Sequence, residues 1–257
     1  MESLKVFSLV YEGNTVENKV DATEDVNMIV DLNSNQLNLP AKVNAVMLDD
    51  SKQAVDVVWD IDDAKIAEMF ANGAKKYDIV GTAQGMIVHC YVSMVEFNYI
   101  ENYSFEEDAN KAKQPNGWTV TDNAKADQLY VEENQTDSLT GSKHYHFWSA
   151  SKNTINFDLE QEVKNLIDGE YKYSISIMGG DGGTTNIYAY VKVNGQIVKT
   201  EKLQITEWND WHTALIEGIE VSASDKVVVG IHVECEGSGA GAWGKIDDAL
   251  FNLVEAK

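Results

Sequence analysis

The chain has no arginine: its 20 basic residues are all lysine, set against 42 acidic ones, for a net charge of −22 over 257 residues. Nucleic acids and anionic membrane surfaces are excluded on that ground, because both are held by clustered Arg and Lys. The same negative field turns away polyanionic substrates such as pectate. Only Cys90 and Cys235 occur, so a disulfide scaffold is excluded, and the zinc spacings are missing. Each cysteine sits in an apolar run, where it reads as a small buried hydrophobe. No run of 18 apolar residues exists, so there is no spanning helix. No leader of the secretory type opens the chain, and Met1-Glu2-Ser3 followed at once by Leu4-Lys5-Val6-Phe7 reads as the start of an excised fragment. The hydrophobic share of 44% is ordinary and supports a packed core.

Sequence motifs that carry catalysis are also missing. There is no Gly-x-Ser-x-Gly, His-Glu-x-x-His, Gly-x-x-x-x-Gly-Lys or Cys-x-x-Cys. Asp247 and Asp248 are strand neighbours and point to opposite faces, which is wrong for one shared substrate. With 42 acidic residues in the chain, a carboxylate pair of the glycosidase kind singles out nothing. The expectation is a chain that is not itself an enzyme.

Period-two alternation dominates the remainder and predicts an all-β fold. Residues 1–24 read as the tail of a preceding domain and a linker. Residues 25–97 form a first unit, with strands over 27–30, 42–48, 55–59, 77–82 and 86–95. One helix is expected from Ile61 to Gly73, capped by Asp62 or Asp63 and stopped at Asn72-Gly73. Residues 98–257 form a second unit of eight or nine strands, with Val193-Asn194-Gly195-Gln196 as a tight hairpin. Strands without convincing helices point to a double-sheet jelly roll there. The stretch Glu160 to Ile167 reads as one helical turn or a loop.

Two glycine-rich runs, Gly179 to Gly183 and Gly239 to Gly244, stand in this second unit near His146, Trp148, Trp208, Trp211 and Trp243. Glycine backbone allows close approach to a ligand, and aromatic faces offer apolar area with a polar rim. A neutral sugar, with C–H groups on one ring face and hydroxyls at its edge, suits such a surface. Trp243 is the first choice for the platform, because its glycine flanks leave room on both sides; the alternative places it in the core. Asp181 and Asn186, with Gly180, sit where side chains read sugar hydroxyls, although Asp181 also suits an Asx turn. His146 and Trp148 share one strand face, Tyr145 and Phe147 the other; one pair faces the core. Trp208 and Trp211 flank Asn209-Asp210, either as an outer subsite or as a loop support.

The first unit resembles the bacterial Ig-like spacers of secreted glycosidases. The likeness rests on Leu39-Pro40, Asp49-Asp50-Ser51, Val57-x-Trp59-Asp60 and Tyr77-x-x-x-Gly81-Thr82, and it implies an Ig-like β-sandwich. The second unit, through Asn102-Tyr103-Ser104-Phe105-Glu106, His146-Phe147-Trp148-Ser149, Met178-Gly179-Gly180-Asp181, Ile187 to Gly195 and Gly241-Ala242-Trp243-Gly244-Lys245-Ile246-Asp247-Asp248, resembles the family 61 carbohydrate-binding modules. These are jelly rolls of the galactose-binding-like superfamily. That resemblance implies recognition of β-1,4-galactan and a covalently attached endo-β-1,4-galactanase domain in a secreted bacterial protein, whose catalytic barrel Ser3 to Phe7 would end. It also implies a structural calcium ion joining the opening segment to the last strand, with Glu106, Asp108 and Asp247 as its ligands; the alternative is solvated acids or turn caps. Other readings are a jelly-roll hydrolase or lyase on a neutral plant glycan, or a structural spacer or adhesin.

Overall fold

The computed structural model describes residues 19–150 and 153–257. It divides into two compact units, one running up to Val30 and over Gln36–Met94, the other Asp31–Asn35 with Val95–Lys257. The expected tail at 1–24 lies mostly outside the described residues. What is seen of it is a strand: β1 (Val20–Thr23) pairs antiparallel with the strand at Lys42–Met47. Four residues carry too little alternation to be recognised as a strand, and pairing supplies the difference.

The first unit contains β1, β2 (Val26–Asp31), β3 (Lys42–Met47), β4 (Lys52–Trp59), α1 (Asp63–Ala71), β5 (Lys75–Ala83) and β6 (Met86–Val95), with strand order β1-β3-β4-β5-β6-β2. Strand β4 changes partner midway: residues 52–56 pair with β3 and residues 57–59 with β5. Its core holds Val43, Ala45, Met47, Val55, Ala83 and Val88. Helix α1 is capped by Asp62, whose carboxylate accepts from the Lys65 N–H, and Gly73 follows it at φ 73°.

Trp59 packs partly buried against this core, and its indole N–H donates to the Pro40 carbonyl. The ring lies against Gly81, where a Cβ would stand 2.6 Å from Cε3. Gly81→Ala is therefore expected to destabilise the first unit by about 1–3 kcal/mol, measurable as an earlier unfolding step in urea.

The second unit is a sandwich of two antiparallel sheets. Its strands are β7 (Thr119–Asp122), β8 (Gln128–Glu133), β9 (Lys143–Trp148), β10 (Thr154–Val163), β11 (Gly169–Gly180), β12 (Thr185–Val193), β13 (Gln196–Leu203), β14 (His212–Val221), β15 (Val227–Glu236) and β16 (Trp243–Ala256). One sheet runs β13-β12-β15-β10-β7, the other β14-β11-β16-β9-β8. Between them lie Phe105, Tyr145, Phe147, Phe157, Tyr171, Tyr173 and Phe251, all fully buried. Asn194 at φ 51° and Gly195 at φ 82° turn β12 into β13, the positive pair that a tight hairpin needs. Glu160–Val163 continues β10 instead of forming a helical turn, because its ladder to β15 runs unbroken to Val163↔Val227.

Candidate functional site

Register gathers the aromatic residues on the outer face of the second sheet. Tyr145 and Phe147 turn into the core, which leaves His146 and Trp148 outside. Gly180, Trp243, Trp148 and Gln128 stand directly opposite one another across β11, β16, β9 and β8. Two residues along the strands, Lys245, His146 and Tyr130 form the next row, with Met178 beside Lys245 on β11.

Trp243 is not in the core. It is half-buried at the start of β16, with its indole against Gly180: a Cβ there would lie 3.2 Å from Nε1 and from Cζ2. With no side chain at 180, the ring can come this close to β11. Gly179 and Gly180 end β11, so the flexible connection is shorter than the glycine run suggests and begins at Asp181. The two glycine runs do meet. Ser238 N–H donates to the Asp181 carbonyl at 2.8 Å, and a Cβ on Gly239 would stand 3.2 Å from Asp181 Oδ1. Asp181 itself is exposed and left-handed at φ 55°.

One expectation needs correcting. Asn186 is not in the loop with Asp181; it lies on β12, and its amide donates to Glu234 Oε2. It therefore shares the outer face of the first sheet with Tyr188, away from Trp243. Tyr190 lies on that outer face as well, covered by Lys192 and donating to Glu160 at 2.7 Å. Trp208 is 56% exposed in the β13–β14 connection, and its indole N–H donates to Asp137 Oδ1 at 3.0 Å.

Beside the aromatic row, on the same outer face, lies a polar cluster that the sequence reading missed, because β8 was not recognised as a strand. Ligand-type atoms of Glu132, His144 and His146 lie within 4.8 Å of one another, the donor set of a metal centre. The ammonium of Lys245 already stands among them: it donates to Glu132 Oε2 and lies 3.1 Å from His146 Nδ1. A built-in cation thus takes the place of an ion. His146 Nε2 faces Gln128 Oε1, which only accepts, so Nδ1 carries the lone pair that meets Lys245. Burial and the neighbouring ammonium push both imidazoles down to about 4. Burial opposes the charge on Glu132, yet the Lys245 hydrogen bond and charge hold its carboxyl at about 2.

These shifts set a pH dependence. An unfolded histidine takes up a proton near 6.5, whereas the folded one resists until about 4. The cluster's contribution to the stability of the second unit is then full above about 6.5 and is lost as pH falls towards 4, by up to about 1.4 kcal/mol per pH unit for each imidazole. Glu132 extends the loss below about 4.5 in the same direction. Asp247, pushed up to about 7, and His232, raised by Asp158, act with the opposite sign over this range. The test is therefore a difference: in urea melts between pH 7 and 4, His146→Gln is expected to lower the loss of stability on acidification by about one proton relative to the unaltered protein.

The predicted calcium ligands are placed differently. Glu106 accepts from the N–H groups of Ser142 and Lys143, and Asp108 from Asn116 N–H and the Asn102 amide. Asp247 accepts from the N–H groups of Leu139, Thr140 and Asp248. The three carboxylates do not form a shared set like that of Glu132, His144 and His146, and Lys143 Nζ already donates to the carbonyls of Glu106 and Asp108. They therefore do not fit one ion as they stand. Burial and the adjacent Asp248 push Asp247 up to about 7 despite its three donors.

Residues 23–86 match the bacterial Ig-like domain family, group 4. No curated protein matches the chain. Among solved structures, TmCBM61 in complex with β-1,4-galactotriose is 26% identical, with a TM-score of 0.51 over 61% of this chain and 99% of that one. A Stig cyclase, Fisc, from Fischerella sp. TAU shares 14% identity at TM-score 0.49, covering 62% of this chain and 98% of its own. The xylan-binding CBM22-1 domain of Paenibacillus barcinonensis Xyn10C shares 15% at 0.36, covering 60% and 94%. No described helix is long and apolar enough to cross a membrane. The chain thus joins a segment that matches the bacterial Ig-like domain family to a β-sandwich similar to TmCBM61.

Proposed function

We propose that the second unit is a non-catalytic module that binds β-1,4-galactan and keeps an attached endo-galactanase, in a secreted bacterial protein, close to that polymer. The observation that carries this reading is the Trp243 indole laid on Gly180, with the Asp181 and Gly239 connections beside it. A galactose ring offers its apolar face to such an indole, while its axial hydroxyl is left for neighbouring polar groups. The similar solved structure holds β-1,4-galactotriose, and this supports galactan over other neutral chains. Trp148, His146 and Trp208 complete the surface, with the Ig-like segment as a spacer. The carboxylates on the opposite outer face do not favour catalysis: Asp158 is tied to His232, and Glu160 to Lys192 and Tyr190.

Galactan is expected to bind in the micromolar range, on the order of −6 to −8 kcal/mol, with no release of reducing sugar. Trp243→Ala is expected to cost at least ~1 kcal/mol of affinity and to leave the melting temperature nearly unchanged. Affinity calorimetry against galactan, xylan and mannan checks both; cleavage of galactan by the pure protein would replace this reading with an enzymatic one.

A calcium ion held by Glu106, Asp108 and Asp247 would have to displace the N–H donors that these carboxylates now accept from. Chelation that lowers the melting temperature would support it, and an unchanged melt in EDTA would remove the ion.

A further inference from the structure

Several residues on the outer face of the second sheet are buried although they point away from the core. Met178 is 1% exposed and Lys245 5%. What lies over them comes from two connections. Asn209 N–H in the β13–β14 connection contacts Met178 Sδ at 3.3 Å, and Asp137 in the β8–β9 connection lies 3.5 Å from Lys245 Nζ. The two connections meet where the Trp208 indole donates to Asp137 Oδ1.

Asp137 is itself fixed. Its Oδ2 accepts from the Asn134 amide at 3.1 Å, and its N–H donates to the Asn134 carbonyl. Trp208 is the opposite case: more than half of it is exposed, so apolar packing does not set the ring's position. The connection that carries it is shaped by polar contacts, Thr206 Oγ1 to Asp210 and Asn209 at φ 62°. An exposed tryptophan free to rotate would lose side-chain entropy on closing over a ligand, and tethering it beforehand removes that cost.

We propose that Asp137 is a positioning residue that holds Trp208 ready as a second aromatic contact, one row away from Trp243, so that the site reads at least two successive sugar rings of a neutral hexose chain. The inference rests on the galactan reading. Row geometry supports it: the row covered by this strap lies two residues, about 6.6 Å along the strands, from the Gly180–Trp243–Trp148 row. Trp243 takes the first ring and Trp208 the next, so the contribution of Trp208 depends on chain length.

The experiment measures galactose and β-1,4-galactobiose binding by calorimetry for the unaltered protein and for Trp208→Ala, Asp137→Ala, Asp137→Asn and Trp243→Ala. Trp208→Ala and Asp137→Ala are expected to weaken galactobiose at least fivefold and galactose less than twofold. Asp137→Asn keeps an acceptor for the indole N–H and is expected to stay within twofold of the unaltered protein. A ligand-free readout accompanies these: the Trp208 indole N–H resonance should move in Asp137→Ala and return in Asp137→Asn. Equal losses for galactose and galactobiose would overturn the two-ring assignment. An unmoved resonance in Asp137→Ala would overturn the positioning role. Loss of binding in Trp243→Ala with none in Trp208→Ala would overturn this inference and leave galactan recognition standing, whereas no binding by the unaltered protein would overturn both.

Discussion

The Trp243 indole can occupy its place on the second sheet because the residue opposite it on β11 is Gly180, where a Cβ would come within 3.2 Å of the ring. The indole is half-buried there, in a row completed by Trp148 and Gln128. The rest of the proposed surface follows from this placement. The glycine-rich connections matter because one follows Gly180 and the other leads into Trp243, and they meet at Asp181 and Ser238; Trp148 matters because register sets it directly across from Trp243.

The platform has a polar neighbour along the strands, on the same face of the sheet, that is held together by electrostatics. Glu132, His144 and His146 surround the ammonium of Lys245, giving a buried charge pair with its remaining polar atoms satisfied by Gln128 and Ser138. A buried pair of this kind adds little net stability once desolvation is counted. It does fix orientation, since Lys245 Nζ is held among Glu132 Oε2, His146 Nδ1 and Asp137 Oδ2. The lysine also explains why a donor set suited to a metal belongs here to the polypeptide: the positive charge comes from the chain.

Much of the fold was legible in alternation alone. Gln196–Leu203 is the strand its pattern predicts, Asp62 caps the expected helix, and Asn194-Gly195 makes the expected hairpin. The choice between His146–Trp148 and Tyr145–Phe147 was not legible, because both pairs are apolar enough to face inward, and only burial in the assembled sandwich separates them. β8 escaped notice because Leu129 and Val131 are its only aliphatic residues, and with it went Gln128, Tyr130 and Glu132. Asn186 was misplaced because its sheet depends on β12 pairing with β15, a contact between residues some fifty positions apart that no local pattern encodes.

The central claim is that a neutral sugar chain settles on the indole at 243. A crystal structure of the chain with β-1,4-galactotriose tests it most directly. The account predicts a galactose ring with its apolar face against the Trp243 indole, beside Asp181 and Trp148. A sugar bound instead on the outer face of the other sheet, against Tyr188 and His232 with Trp243 untouched, would contradict it.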